Sequence, residues 1–485
     1  MLVGMDHRAN IPYAVPKASS DPLPEIAEFL MPFAPLFRRS QSRHSLERYI
    51  TGLLTDLDRK NCDTIAAALA GTSTERLQHL LTDADWASLE LDEARVKSLS
   101  AKSPKGGVLV LDDTSFPKQG KASVGVARQY CGALGKRANC QVVVSAHYIA
   151  DEPESSRPLH WPVSGRLYLP EGWAKDRERR ERAHVPEGVI FRSKPNIALC
   201  LMDLSQEWEV PCEVVVADSG YGKYHSFLGG LEERKVSYVC GVESTFGVRL
   251  PEEVRAAKEA GAAPPYKGRG QPPKERAAPL YTARELIGSL PEEAWRTVSW
   301  REGTKGTLSK QMVALRAHRA PRSPRHSTDH ELVQTAAEGW LIGERPLPEE
   351  PSSAQKKEGE EELTYYYSTL GVRVPLERLA SVAKSRWTIE QFYEDAKGEC
   401  GLGDYQGRRW EGLHRHLALS MVAYSFLMLH SSVTTGTGGS SSEGFFPLSQ
   451  AHNASGYPQV GTDVAVGGPG SMVHRNREDQ DLPSS

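Results

Sequence analysis

Apolar and polar positions change rhythm several times along this chain. Between about 20 and 100 they recur at helical spacing: residues 25–37 are amphipathic, 46–57 continue the pattern, and Leu77, Leu80 and Leu81 resume it after a turn at Gly71. From Gly106 the pattern becomes short β-branched runs, at 108–111, 140–149 and 158–169, which predict buried strands. The stretch 173–184 is charged and helical, and a solvated face explains it. Helices around 197–208 and 224–234 then alternate with strands at 213–217 and 237–242. Periodicity breaks across 246–362, where a Pro/Gly-rich basic loop, PPYKGRGQPPKER, precedes strands at 297–300, 312–317 and 340–344. A strand at 364–370, one long helix over 375–397 and a last helix at 413–429 follow. After His430 the chain turns into Gly, Ser and Pro without any apolar period, so disorder is expected there.

These shifts divide the chain into a helical segment at 1–100, an α/β core at 105–245 that resumes at 363–430, a β-rich insertion at 246–362 and a low-complexity tail at 431–485. A length of 485 residues suits two to four domains. Hydrophobic content of 39% and charged content of 25% describe an ordinary soluble protein. A formal charge of −3 does not advertise nucleic-acid binding, so any such role must rest on local patches. The seven cysteines form no CxxC pair and read as reduced thiols. The N-terminus has no signal-peptide core, and the apolar stretch 417–429 is too short for a bilayer. No membrane partner is expected, and the expected location is cytoplasmic and nucleoid-associated.

Three places carry candidate chemistry. Arg386-Trp387-Thr388-Ile389-Glu390 followed by Lys397 sets a carboxylate between two cations on one stripe of a helix. Asp112-Asp113 follows the apolar run 108–111, and Asp218 follows the run 214–217. An acid directly after such a run sits where open α/β sheets place their chemistry. Gathered acids repel unless a cation neutralises them, and Mg²⁺ favours a few carboxylates together with substrate phosphates. Taken singly, each residue has a plainer reading: an i,i+4 salt bridge for Arg386–Glu390, a turn or helix cap for each aspartate.

With these residues assembled, the chain resembles bacterial insertion-sequence transposases of the DDE type, the cut-and-paste group with a Y-x2-R-x3-E-x6-K signature. Arg386, Glu390 and Lys397 match its last three positions, while Ala383 stands at the tyrosine position. LDDTSFPKQGKASVGVARQYCGALGKRANCQ and VVVADSGYGKYHSF resemble the two aspartate regions, WREGTKG a segment of the β insertion, and GLGDYQGRRWEGLHRH the stretch after the catalytic helix. The resemblance implies a ribonuclease H-like α/β core interrupted by the insertion. Asp113, Asp218 and Glu390 would be the metal-binding catalytic acids, with Asp112 a live alternative to Asp113. Arg386 and Lys397 would contact phosphate at the cleaved end. The implied cofactor is Mg²⁺, with Mn²⁺ as a substitute, two ions per site. The implied partner is double-stranded DNA, both terminal inverted repeats and target, bound by a homodimer. Further expected DNA contacts are Trp300, Lys305, Arg408, Arg409 and His416; stacking on bases and core packing both remain open for Trp300, Trp387 and Trp410. A DNA-binding helix-turn-helix and a plain bundle remain equally open for residues 20–100. The rival readings are an inactive DNA-binding derivative and a nuclease that cuts without joining.

Overall fold

The run Val108–Leu111 does form a buried strand, and the sheet is built outward from it. The structure, a computed structural model, describes residues 17–19, 21–152, 158–259, 278–303, 306–320, 336, 338–347 and 363–434. The tail from 435, Lys305 and the whole of the PPYKGRGQPPKER loop lie outside the described residues.

The strands are β1 (Gly107–Pro117), β2 (Ala127–Cys131), β3 (Lys136–Ile149), β4 (His160–Leu167), β5 (Cys212–Ala217) and β6 (Ser237–Val242). They continue with β7 (Gly247–Arg249), β8 (Tyr281–Thr282), β9 (Arg296–Gly303), β10 (Gly306–Arg319), β11 (Glu338–Arg345) and β12 (Thr364–Ser368). They make one mixed sheet in the order β2-β3-β1-β5-β6-β12-β11-β10-β7-β8, with β4 also on β3 and β9 also on β10. β3 is antiparallel to β1, whereas β5 is parallel to β1 and β6 to β5. The strands of the insertion therefore extend the core sheet through β12, which pairs antiparallel with β6.

The alternation of β1 decides what each face meets. Leu109, Leu111, Val215 and Ala217 share a core with Ile197, Ala198, Leu201 and Met202 of the helix Lys194–Glu207. The opposite face meets the helix Trp387–Glu399: Phe392 packs on His147, the partner of Val110, and the Tyr393 hydroxyl lies 2.7 Å from that of Ser145, the partner of Asp112.

Two expectations are corrected. β1 does not end at Asp112-Asp113 but runs to Pro117, because β3 goes on pairing with it. Its parallel pairing with β5 does stop at Leu111, so Asp112 stands just past the end of that ladder. The single helix expected over 375–397 is two, Leu376–Lys384 and Trp387–Glu399. At the break the Ser385 hydroxyl donates to the Val382 carbonyl, and Thr388 and Ile389 N–H reach back three residues to Ser385 and Arg386, a tighter turn than α.

The N-terminal helices lie against the helix Trp410–Thr434. Phe29 meets Phe426 with ring centroids 5.4 Å apart, and Arg415 donates to the Ala84 and Trp86 carbonyls at 2.6 Å. No helix among the described residues is long and apolar enough to cross a membrane.

Candidate active site

Four side chains meet where β1 and β5 part company. Arg386, at the break between the two helices, donates to Asp112 Oδ2 at 2.6 Å and also bonds Glu390 one turn on. Asp218 follows the last residue of β5 and opens the short helix Ser219–Gly222. Its backbone carbonyl accepts from the Tyr221 and Gly222 N–H groups, but its carboxylate makes no cap bond. Asp218 thus stands at the turn and cap position of the plain reading, but its carboxylate does no capping there. Instead its Oδ1 is buried with no hydrogen-bond partner. The turn can sit this close to β6 because Gly222 faces Gly241: a Cβ on Gly222 would stand 2.0 Å from the Gly241 carbonyl oxygen.

Asp112 is 8% exposed, and its pKa is pushed up to about 7 by burial, with Arg386 opposing and Asp218 adding to the rise. The two aspartates therefore feel each other's charge, and one guanidinium partly offsets both. A cleft of about 1140 Å³ opens at Asp218, lined by Asp218, Ser219, Tyr366, Arg386, Trp387 and Glu390 among others, with Asp112 buried behind Arg386.

Asp113, preferred over Asp112 from the sequence, points to the other face of the strand. There it accepts from Lys194 Nζ at 3.0 and 3.1 Å and from the Tyr221 hydroxyl at 3.1 Å. Alternation does separate the adjacent acids, but packing puts Asp112 on the face of Glu390. Among the described residues no three His, Cys, Asp or Glu side chains stand close enough to share one ion, consistent with Asp113 turned away and Glu390 held by Arg386.

The other expected contacts scatter. Lys397 is near the far end of β1, its Nζ 5.7 Å from the Phe116 ring and 5.9 Å from that of Tyr393, and burial lowers its pKa. Trp300 is half-buried under Lys384, Trp387 carries the Arg301 guanidinium at 3.6 Å, and Trp410 packs on His414. Arg408 is exposed and Arg409 pairs with Asp83 at 3.0 Å. His416 is corrected: it is fully buried, held between the Tyr49 hydroxyl at 2.8 Å and the Gly401 carbonyl at 3.0 Å, so it belongs to the seam between the N-terminal and last helices. Sequence reasoning missed Lys194 and Tyr221, although Tyr221 lies three residues past Asp218, inside the second aspartate segment.

Comparison with known proteins bears on the family of the chain. A model of the transposase DDE domain matches residues 201–426, and a model of the DDE superfamily endonucleases matches residues 32–307. A probable transposase for insertion sequence element IS701 from Microchaete diplosiphon is 26% identical over 237 residues, 48% of this chain and 58% of that protein. The match thus spans little more than half of that relative's length. The crystal structure of the NurA nuclease from Sulfolobus solfataricus aligns over 72% of this chain and 92% of its own at 9% identity, but with a TM-score of 0.21 that likeness carries no argument. With its family model covering more than half of its length, the chain belongs to the DDE superfamily endonucleases.

Proposed function

We propose that this protein is an insertion-sequence transposase that cuts DNA at the ends of its element and joins them to target DNA, with Asp112, Asp218 and Glu390 as its catalytic acids. The observation that carries the reading is the pairing of Arg386 with both Asp112 and Glu390 beside Asp218 at the end of β5, one Asp218 carboxylate oxygen being buried without a partner. The donor set fits a hard divalent cation: carboxylate oxygens, one desolvated and one orphaned, beside an open cleft that Asp218 and Glu390 line. Asp112 and Asp218 would hold it, with Glu390 joining once Arg386 releases it. Two Mg²⁺ or Mn²⁺ ions held there would supply the Lewis acidity that lowers the pKa of the attacking oxygen and offsets charge on the leaving 3′ oxygen.

The chain's own residues do the rest. Arg386 holds the acids' charge in the free protein and can turn to a phosphate oxygen when one enters, a pairing its planar fork favours. Asp113 ties the Tyr221 turn, and with it Asp218, to β1, and Lys194 neutralises it. Asp113 is therefore a positioning residue, and Asp112 replaces it in the catalytic set. Lys397 lies two turns along the helix from Glu390, about 10 Å by helix rise, and would meet phosphate farther along the strand.

We read the core as ribonuclease H-like. Support comes from three antiparallel strands (β4, β3, β1) continuing into two parallel ones (β5, β6), with acids at the junction. The inferred partner is double-stranded DNA, and joining two element ends calls for two active sites, hence a dimer on DNA. Incubating the protein with its own flanking inverted repeats and Mg²⁺ or Mn²⁺ tests this. Nicked and joined products are expected from the wild type and from neither Asp112→Asn nor Glu390→Gln; intact products from Asp112→Asn would overturn the assignment.

A further inference from the structure

From Thr114 to Ala150 the chain has no Asp or Glu, against five Lys or Arg, although acids outnumber bases 62 to 59 over the whole chain. This acid-free stretch contains the end of β1, all of β2 and all of β3. Among the described residues β2 pairs only with β3, so the two make a ribbon at the edge of the sheet. In its register Tyr130 lies directly opposite Arg137 and Arg128 opposite Asn139, which puts these four side chains on one face. Arg128, Lys136 and Arg137 are exposed, and among the described residues their side chains make no ion pair or hydrogen bond. Tyr130 is 63% exposed beside them, and Leu134 at the turn is 46% exposed.

Cations on an edge strand can serve to discourage sheet-to-sheet pairing. That purpose accounts for Arg128 and Lys136 but not for an uncovered tyrosine and leucine, which favour the association that edge charges oppose. A basic, two-stranded ribbon with an aromatic on its open face has the width of the DNA major groove and the charge for the phosphates on either side. Its position fits as well. Arg137 is eight residues along β3 from Ser145, the partner of Asp112, a contour of at most about 26 Å, or roughly eight base pairs of duplex.

We propose that the β2–β3 hairpin is an arm that lies on duplex DNA within one helical turn of the cleaved phosphodiester, through Arg128, Tyr130, Lys136 and Arg137. This rests on the function proposed above and adds the surface that holds the flanking DNA.

The test uses the full chain in EDTA with a labelled duplex of arbitrary sequence about 30 bp long, its affinity read by fluorescence anisotropy at about 50 to 200 mM KCl. Replacing three phosphate-facing cations (Arg128→Ala, Lys136→Ala, Arg137→Ala) should flatten the log Kd against log salt slope by about 2.7. The variant's affinity deficit should accordingly shrink roughly 40-fold across that salt range. Exchanging the same positions for the other basic residue should keep the slope. Tyr130→Ala should weaken binding with the slope unchanged. A control removing the exposed Lys102, Lys105 and Arg373 should leave it near wild type. An unchanged slope in the hairpin variant, or an equal loss in the control, overturns the arm while leaving the catalytic reading intact. Normal duplex binding by a wild type that fails to cleave its own flanking inverted repeats in Mg²⁺ counts against the catalytic reading and leaves the arm standing. Absence of any duplex binding overturns both.

Discussion

Replacing Asp112 by asparagine should make the protein more stable at pH 8 while removing its activity. The carboxyl is pushed from 3.8 to about 7, chiefly by burial. Between those values the folded protein holds a proton that the unfolded chain has released, so the stability contributed by this group falls as pH rises through the window and is fully lost above pH 7. A shift of about three units corresponds to about 4 kcal/mol of cost for carrying the ionised form at pH 8. The amide escapes that cost but also forfeits the attraction of Arg386, so the net gain at pH 8 should be roughly 1 to 3 kcal/mol. At pH 5 only the part of the cost between 3.8 and 5 has been incurred. The gap between variant and wild type should therefore widen by roughly 2 to 3 kcal/mol from pH 5 to pH 8. Urea unfolding of both proteins in EDTA at the two pH values measures it, and the difference cancels titrations the two share. Asp113→Asn is the control: it loses two bonds on a carboxylate that is one quarter exposed and should be destabilised by about 1 kcal/mol. A gap that does not change with pH, or an Asp112→Asn protein weaker than wild type at pH 8, would refute the reasoning.

Other outcomes follow from the same geometry. Asp112→Asn, Asp218→Asn and Glu390→Gln should each cut metal-dependent DNA cleavage by at least roughly a thousandfold, whereas Asp113→Asn, acting through Tyr221, should cost about 10- to 100-fold; single-turnover cleavage on one substrate compares them, and equal losses would erase the distinction. Burial lowers the pKa of His160, His225, His414 and His416 to about 4 and that of His147 well below its ordinary value. The unfolded chain takes up protons that these rings refuse, so urea midpoints should fall as pH drops from about 6.5 toward 4; a flat profile would contradict their burial. Gly222→Ala should lower the melting temperature and the cleavage rate together, because its Cβ would meet the Gly241 carbonyl oxygen at 2.0 Å, while Gly172→Ala, with nothing within 4 Å, should do neither.

How far the sequence reached depends on which contacts decide each feature. The strands of the core and the position of Asp218 were legible because buried β-branched runs ending at an acid are local signals. Which neighbour of the Asp112-Asp113 pair faces Glu390 was not. Val108 and Val110 on one face and Leu109 and Leu111 on the other are equally apolar and equally buried, so the pattern holds no difference to read. Tertiary packing of the helix Trp387–Glu399 breaks the tie. The helix break at Ser385 and Arg386 was hidden for a related reason: neither is a helix breaker by composition, and the tight turn is held by the Ser385 hydroxyl bond and by the pull of Asp112 on Arg386. His416 read as part of a basic surface cluster, since nothing local announces that Tyr49, 367 residues earlier, will cover it. The β-rich insertion was visible as a block, but its continuity with the core sheet depends on the β6–β12 pairing, which no local pattern encodes.

The central claim is that Asp112, rather than its neighbour, joins Asp218 in holding a divalent ion. A crystal of the protein soaked in Mn²⁺ and measured for anomalous scattering tests it most directly. A peak is expected at about 2.1 Å from carboxylate oxygens of both Asp112 and Asp218, with Arg386 turned away from Asp112. A peak bound to Asp113, or an empty cleft at saturating Mn²⁺ with Arg386 still on Asp112, would contradict it.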